Sequence, residues 1–182
     1  MLYSIRQVAY GQISDNEDIY RICQLFPNSL LIDNISRTNL TAIARYLGVM
    51  KIGDDMMRVS LKSRLRKIQK LDRELYFEGI DHLTKLELEQ CCELRGMHSN
   101  GLLKSDYYEM MNEWIRVSVE ESIPVGMLVI SNMLSMVKKE DTLDGMLPSA
   151  VSMLNDEVIK EVGDSYCYCG YCYDYSFEYC YS

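Results

Sequence analysis

The stretch from Ile32 to Val49 comes back 48 residues later, as Ile80 to Met97. Both copies open on Ile-Asp (Ile32-Asp33, Ile80-Asp81), carry a Leu at the same helical position (Leu40, Leu88) and close on a Gly (Gly48, Gly96). The columns between them change conservatively: Ile35 to Leu83, Ser36 to Thr84, Arg37 to Lys85 and Val49 to Met97. A short unit that occurs twice in a chain of 182 residues is a supersecondary element that buries little apolar surface alone. The two copies are therefore expected to share one core rather than to fold separately.

Each copy reads as helix–loop–helix. Ser36 starts the first helix, Leu40, Ile43, Ala44 and Leu47 form its apolar side, and Gly48 stops it. A long helix follows from about Asp54 to Tyr76, with a stripe of Met57, Leu61, Leu65, Ile68, Leu71 and Leu75. In the second copy Thr84-Lys85-Leu86-Glu87 fits a capping box, Leu88, Cys91 and Cys92 face inward, and Gly96 is the stop. Its next helix carries Tyr107, Met110, Met111 and Trp114; setting Leu61 against Met110 implies one inserted loop residue. The repeat units thus run over about residues 32–76 and 80–121. Upstream, Ser14-Asp15-Asn16-Glu17 fits a capping box, and Ile19, Ile22, Cys23 and Phe26 keep helical spacing until Pro27. Pro124 is expected to break the second long helix and open another with Met127, Ile130, Leu134 and Val137, before a weaker helical segment near residues 147–162. No sustained period-two run supports a strand. The expected fold is all-α, a single helical domain over residues 2–162 built on two repeated helix–loop–helix units with flanking helices.

Residues 163–182, which include "SYCYCGYCYDYSFEYCYS", mix Tyr and Cys without helical period and are expected to be a disordered tail. Cys167, Cys169, Cys172 and Cys180 lie there in a spacing that is no standard four-ligand zinc pattern, with neither histidine close in sequence. We therefore assign no metal site. Cys23, Cys91 and Cys92 sit inside helical patterns as small apolar residues, and an odd count of seven points to a reducing compartment. His82 and His98 stand in or beside loops with no nucleophile–base pattern around them. No phosphate-binding loop, dinucleotide fingerprint or complete calcium loop is present. No catalytic residue, cofactor or small-molecule substrate is expected, and no apolar run approaches the ~20 residues of a membrane span.

Charge is more informative. The net charge of -8 argues against wholesale coating of nucleic acid or anionic lipid. Yet Arg58, Lys62, Arg64, Arg66, Lys67, Lys70 and Arg73 fall in sixteen residues against one acid, Asp72. At about 100° per residue, Arg58, Lys62, Arg66, Lys70 and Arg73 share roughly a third of the helix circumference, opposite the apolar stripe. Such a face suits a phosphate-rich partner, RNA or an anionic membrane surface. Arg64 instead points into the apolar arc near Leu61 and Ile68. A buried Arg needs a carboxylate. Asp33 and Asp81, the repeated acids, are the expected partners in a structural ion pair.

The second unit resembles the SAP motif at Leu83, Glu87-Leu88, Cys92, Arg95-Gly96-Met97, Gly101 and Lys104. That resemblance implies DNA binding, but Lys85, Arg95 and Lys104 face seven acids between Asp81 and Glu113, which opposes contact with a phosphate backbone. A longer resemblance takes in both units. "SDNEDIYRICQLF", "IDNISRTNLTAIARYLGV", "SLKSRLRKI", "GIDHLTKLELEQCCELRGM" and "EWIRVSVEESIPVGMLVISNML" look, in order and spacing, like the LETM domain, from roughly Tyr3 to Met136. That family comprises leucine-zipper and EF-hand-containing transmembrane proteins of the mitochondrial inner membrane. The resemblance implies a matrix-facing, 14-3-3-like helical domain that binds the mitochondrial ribosome, in a family linked to ion homeostasis. It also implies membrane contact through a span upstream of these residues, so this chain by itself is not expected to transport ions. It supplies no residue-level contacts; Arg58, Lys62, Arg66, Lys70 and Arg73 are the expected ribosome-binding or RNA-binding residues. The alternatives are a regulatory domain of a potassium/proton or calcium/proton exchange protein, and a free SAP-type nucleic-acid-binding module.

Overall fold

The computed structural model describes residues 16–49, 53–97, 101–138, 143–154 and 159, all-helical where described. Eight α-helices occur among them: α1 (Asn16–Gln24), α2 (Asn28–Asn34), α3 (Arg37–Tyr46), α4 (Asp54–Glu78), α5 (Lys85–Leu94), α6 (Lys104–Ile115), α7 (Val125–Lys138) and α8 (Leu143–Ser152). A single π-helical turn, Arg116–Glu120, continues α6. The Tyr/Cys-rich tail and the Ser14 capping box lie outside the described residues, as does His98.

The helix starts and stops have local causes. The Ser36 hydroxyl accepts from the Asn39 N–H at 3.3 Å and so caps α3. Thr84 accepts from the Glu87 N–H at 3.3 Å while the Glu87 carboxylate accepts the Thr84 N–H at 2.8 Å, a full capping box for α5. Both helices are ten residues long and end alike. The Val49 N–H bonds to the Ala44 carbonyl at 2.7 Å around Gly48 (φ +65°), and the Met97 N–H to the Cys92 carbonyl at 2.9 Å around Gly96 (φ +80°). Gly96 also lies against the Tyr46 ring, whose hydroxyl donates to the Gly96 carbonyl, so any side chain there meets the first unit.

The buried residues of α4 and α6 match at a spacing of 50 rather than the 49 expected from the sequence. Met57, Leu61 and Leu65 on α4 are buried, and so are Tyr107, Met111 and Ile115 on α6, each 50 residues on; Met110 is only partly buried. Helix α4 starts at Asp54 and α6 at Lys104, so two residues, Leu102 and Leu103, enter between Gly101 and the helix, where the sequence suggested one.

Helix α4 is the central element, about 37 Å long for its 25 residues. Asp54 and Asp55 occupy its first turn, where carboxylates favour the helix dipole. Its inner side packs on α2, α3, α6 and α7, and one continuous core runs from Ile19 on α1 through Leu40, Leu65, Leu88, Trp114 and Met127 to Val151 on α8. Helix α2 begins directly after Pro27, and its Asn28 accepts the Gly126 N–H at 2.7 Å, fastening α2 to the start of α7. Pro124 precedes α7 as expected.

Candidate functional site

The basic run on α4 divides into two sets. Arg58 is half-buried and donates to the Ile32 carbonyl, to the Asp33 carbonyl at 2.9 Å and to the Ile35 carbonyl at 3.1 Å. These are the carbonyls left without intrahelical partners at the end of α2, where a cation is also favoured by the helix dipole. Lys62 is half-buried too, its side chain 22% exposed, and it pairs with the Asp33 carboxylate at 2.5 Å. Both side chains flank the face and turn onto α2 rather than outward. They are structural. Arg66, Lys67, Lys70 and Arg73 are exposed, and the Glu74 carboxylate meets Lys70 at 3.5 Å with both side chains largely in solvent. Lys67 lies beside the arc drawn from the sequence, and Val59, 62% exposed, and Phe77, 83% exposed, flank the cations at either end. The outward face is therefore a cationic ridge with apolar ends.

The expected pairing of Arg64 with Asp33 or Asp81 does not form. Lys62 occupies Asp33, and Asp81 accepts the Tyr108 hydroxyl at 2.8 Å. Arg64 lies half-buried at the edge of the apolar arc, its Nε buried without a hydrogen-bond partner, beside a cleft of about 530 Å³ between the end of α3 and α5. The buried ion pair belongs to other residues. Asp72, 1% exposed on α4, accepts from Arg95 Nε at 2.8 Å and Nη2 at 2.5 Å, and Trp114 Nε1 on α6 donates to its second oxygen at 2.9 Å. Arg95, fully buried at the end of α5, spends a further donor on the Cys91 carbonyl at 2.7 Å. One carboxylate thus joins α4, α5 and α6. The signal was available: Asp72 falls on the same arc as Leu61, Leu65 and Ile68, and it is the one acid between Arg58 and Arg73.

Burial pushes the Cys23 and Cys92 thiols up to about 12, so both are neutral and poorly nucleophilic at physiological pH. His82 is exposed on the turn before α5. Among the described residues no three His, Cys, Asp or Glu side chains converge to hold a metal ion. No helix among them is long and apolar enough to cross a membrane.

Comparison with known proteins covers most of the chain. A family profile described as "LETM1-like, RBD" matches residues 2–135. The chain is 31% identical over 155 residues to the LETM1 domain-containing protein mdm28, mitochondrial, of Schizosaccharomyces pombe, covering 83% of this chain and 33% of that protein. It is 32% identical over 144 residues to the mitochondrial proton/calcium exchanger protein of Drosophila melanogaster, covering 79% of this chain and 14% of that one. It is also similar, at 25% over 157 residues, to the LETM1 domain-containing protein YLH47, mitochondrial, of Saccharomyces cerevisiae, with 85% of this chain and 35% of that protein covered. The chain therefore spans about a third or less of the length of these relatives.

Proposed function

The chain belongs to the LETM1-like family, and we propose that it is the ribosome-binding domain through which an inner-membrane protein of that family meets the mitochondrial ribosome on the matrix side. RBD designates a ribosome-binding domain, and the relatives' names are mitochondrial. The observation that carries the reading is the outward ridge of α4. Arg66, Lys67, Lys70 and Arg73 lie within about 10 Å of helix axis in a protein of net charge -8. The fold has little internal use for them, whereas Arg58 and Lys62 are consumed by α2. Concentrated cations of this kind neutralise RNA phosphates and release their counterions. The domain is an interaction module over residues 2–162, made of two repeated SAP-like units, rather than an enzyme, and takes no cofactor or small-molecule substrate. Membrane contact belongs to a span outside these residues.

Co-sedimentation with mitochondrial ribosomes tests this. Wild-type chain should pellet with ribosomes, and the Arg66→Gln/Lys67→Gln/Lys70→Gln/Arg73→Gln variant should remain largely in the supernatant. If both pellet equally, the ridge is only a solvated face. If neither does, the ribosome reading falls. A second reading, a regulatory domain of a cation/proton exchanger, is favoured by the name of the Drosophila relative. It predicts altered ion flux in the longer protein when α4 is changed, with ribosome sedimentation unaffected. The free SAP-type nucleic-acid-binding alternative is weaker, because exposed Asp81, Glu87, Glu93, Glu109 and Glu113 outnumber the exposed Lys85 and Lys104 of the second unit.

A further inference from the structure

A second surface lies round the end of α4 from the ridge and has the opposite character. It is a groove of about 530 Å³ between the last turn of α4, the turn through Gly79, α6 and the π turn. Its lining includes the apolar side chains Leu75, Ile80 and Ile115. Two aromatic rings, Tyr76 and Tyr108, form part of its walls, and Tyr76 contacts the exposed Phe77 edge-on, 5.5 Å between ring centres. Its rim carries Asp81, Glu109, Glu113 and Glu120 against one cation, Arg116. That cation is committed. It holds Glu113 at 2.7 Å and Glu121 at 3.3 Å. Glu109 and Glu120 are exposed and make no ion pair among the described residues, and Asp81 has only the neutral Tyr108 hydroxyl.

This arrangement is unfavourable for the isolated fold. Glu109 and Glu113 are like charges four residues apart on α6, which destabilises a helix, and both line the same groove as Glu120 and Asp81. Arg116 offsets one of these charges. Cations arriving from outside would offset the rest, their stems lying on the apolar lining and their heads near the aromatic faces.

We propose that this groove seats an Arg/Lys-rich segment of a protein partner. The inference rests on the ribosome-binding reading and deepens it: the ridge takes RNA, and the groove takes a basic protein segment of the same ribonucleoprotein. RNA itself does not suit the groove, because the rim carboxylates repel phosphates. Tyr76 stands three residues beyond Arg73, so the two surfaces adjoin along one helix and present opposite charge side by side.

The test uses the full chain and two defined probes, a synthetic peptide alternating Arg and Leu and a matched peptide alternating Glu and Leu. Fluorescence anisotropy should show binding of the Arg/Leu peptide alone. Glu109→Gln/Glu120→Gln should weaken that binding by at least about tenfold, and the four-residue ridge variant should not. Glu17→Gln/Asp18→Asn, which removes two exposed acids on α1, should also leave it unchanged. Co-sedimentation of Glu109→Gln/Glu120→Gln with ribosomes should fall as well. Equal weakening by the α1 control would reduce the effect to bulk charge and overturn the proposal, as would unaltered peptide binding by the groove variant. Undiminished ribosome binding by the groove variant would overturn it while leaving the ribosome reading intact. If wild-type chain fails to sediment with ribosomes, that reading falls, and the peptide arms alone still decide whether the groove takes a basic segment.

Discussion

Asp72 and Arg64 stand eight residues apart on one helix, and the buried ion pair expected at Arg64 forms at Asp72 instead. Asp72 is buried at a three-helix junction with Arg95 and Trp114, while Arg64 lies half-buried beside a cleft. Removing one member of a buried pair orphans the other charge, so Asp72→Ala should lower the unfolding free energy by about 3–5 kcal/mol in denaturant titrations. Arg64→Met strands no carboxylate and should change stability by less than about 1 kcal/mol. Arg58→Gln, by contrast, deprives the end of α2 of its donors and should cost about 1.5–3 kcal/mol. A large loss for Arg64→Met together with a small one for Asp72→Ala would mean that the pairing is misassigned. Helical phase made Asp72 readable from the sequence, since it shares the arc of Leu61, Leu65 and Ile68. The pull of the repeated acids Asp33 and Asp81 obscured it. The first unit has Leu47 where the second has Arg95, so the pair is a departure from the repeat, and reasoning from matched columns passes over it.

At the scale of elements, α3 and α5 show how much short motifs carry. Both were legible from Ser/Thr at the start and Gly at the end, because caps and left-handed stops act locally. The capping box of α5 should be measurable by itself. Thr84→Ala is expected to cost about 1 kcal/mol. The Glu87 carboxyl is held below its ordinary range, chiefly by the Thr84 N–H and then by the Thr84 hydroxyl. A depressed carboxyl contributes stability above its unfolded value, and that contribution is lost as pH falls through the folded one. The thermal midpoints of wild type and Glu87→Gln should therefore converge as the solution is acidified below about pH 4. A gap that stays constant with pH would show that the carboxylate has no part in the cap. Two elements escaped the sequence reading. Helix α2 has only seven residues after a proline, too few for a periodic stripe. The π turn after α6 carries no local signature of the kind that marks a cap or a stop. The second loop insertion was missed because Met110 and Met111 are chemically alike, and only burial decides between them.

Over the whole molecule, the helical class and the presence of a basic helix followed from the chain's own residues, and the family from the resemblance of several ordered blocks. Which cations remain free did not, because that depends on how α2 turns its carbonyls toward Arg58 and Asp33 toward Lys62. The outcome is a smaller ridge of Arg66, Lys67, Lys70 and Arg73, joined at Tyr76 to a groove of opposite charge. The most direct test of the ridge as an RNA contact is the salt dependence of ribosome affinity. Each neutralised phosphate should contribute about -0.7 to -0.9 to the slope of log affinity against log salt, so the four side chains together predict a wild-type slope about 3 steeper than that of the quadruple Gln variant. Circular dichroism of that variant should retain the helical signal. Equal slopes for the two folded proteins would contradict the assignment of α4 as the RNA-facing surface.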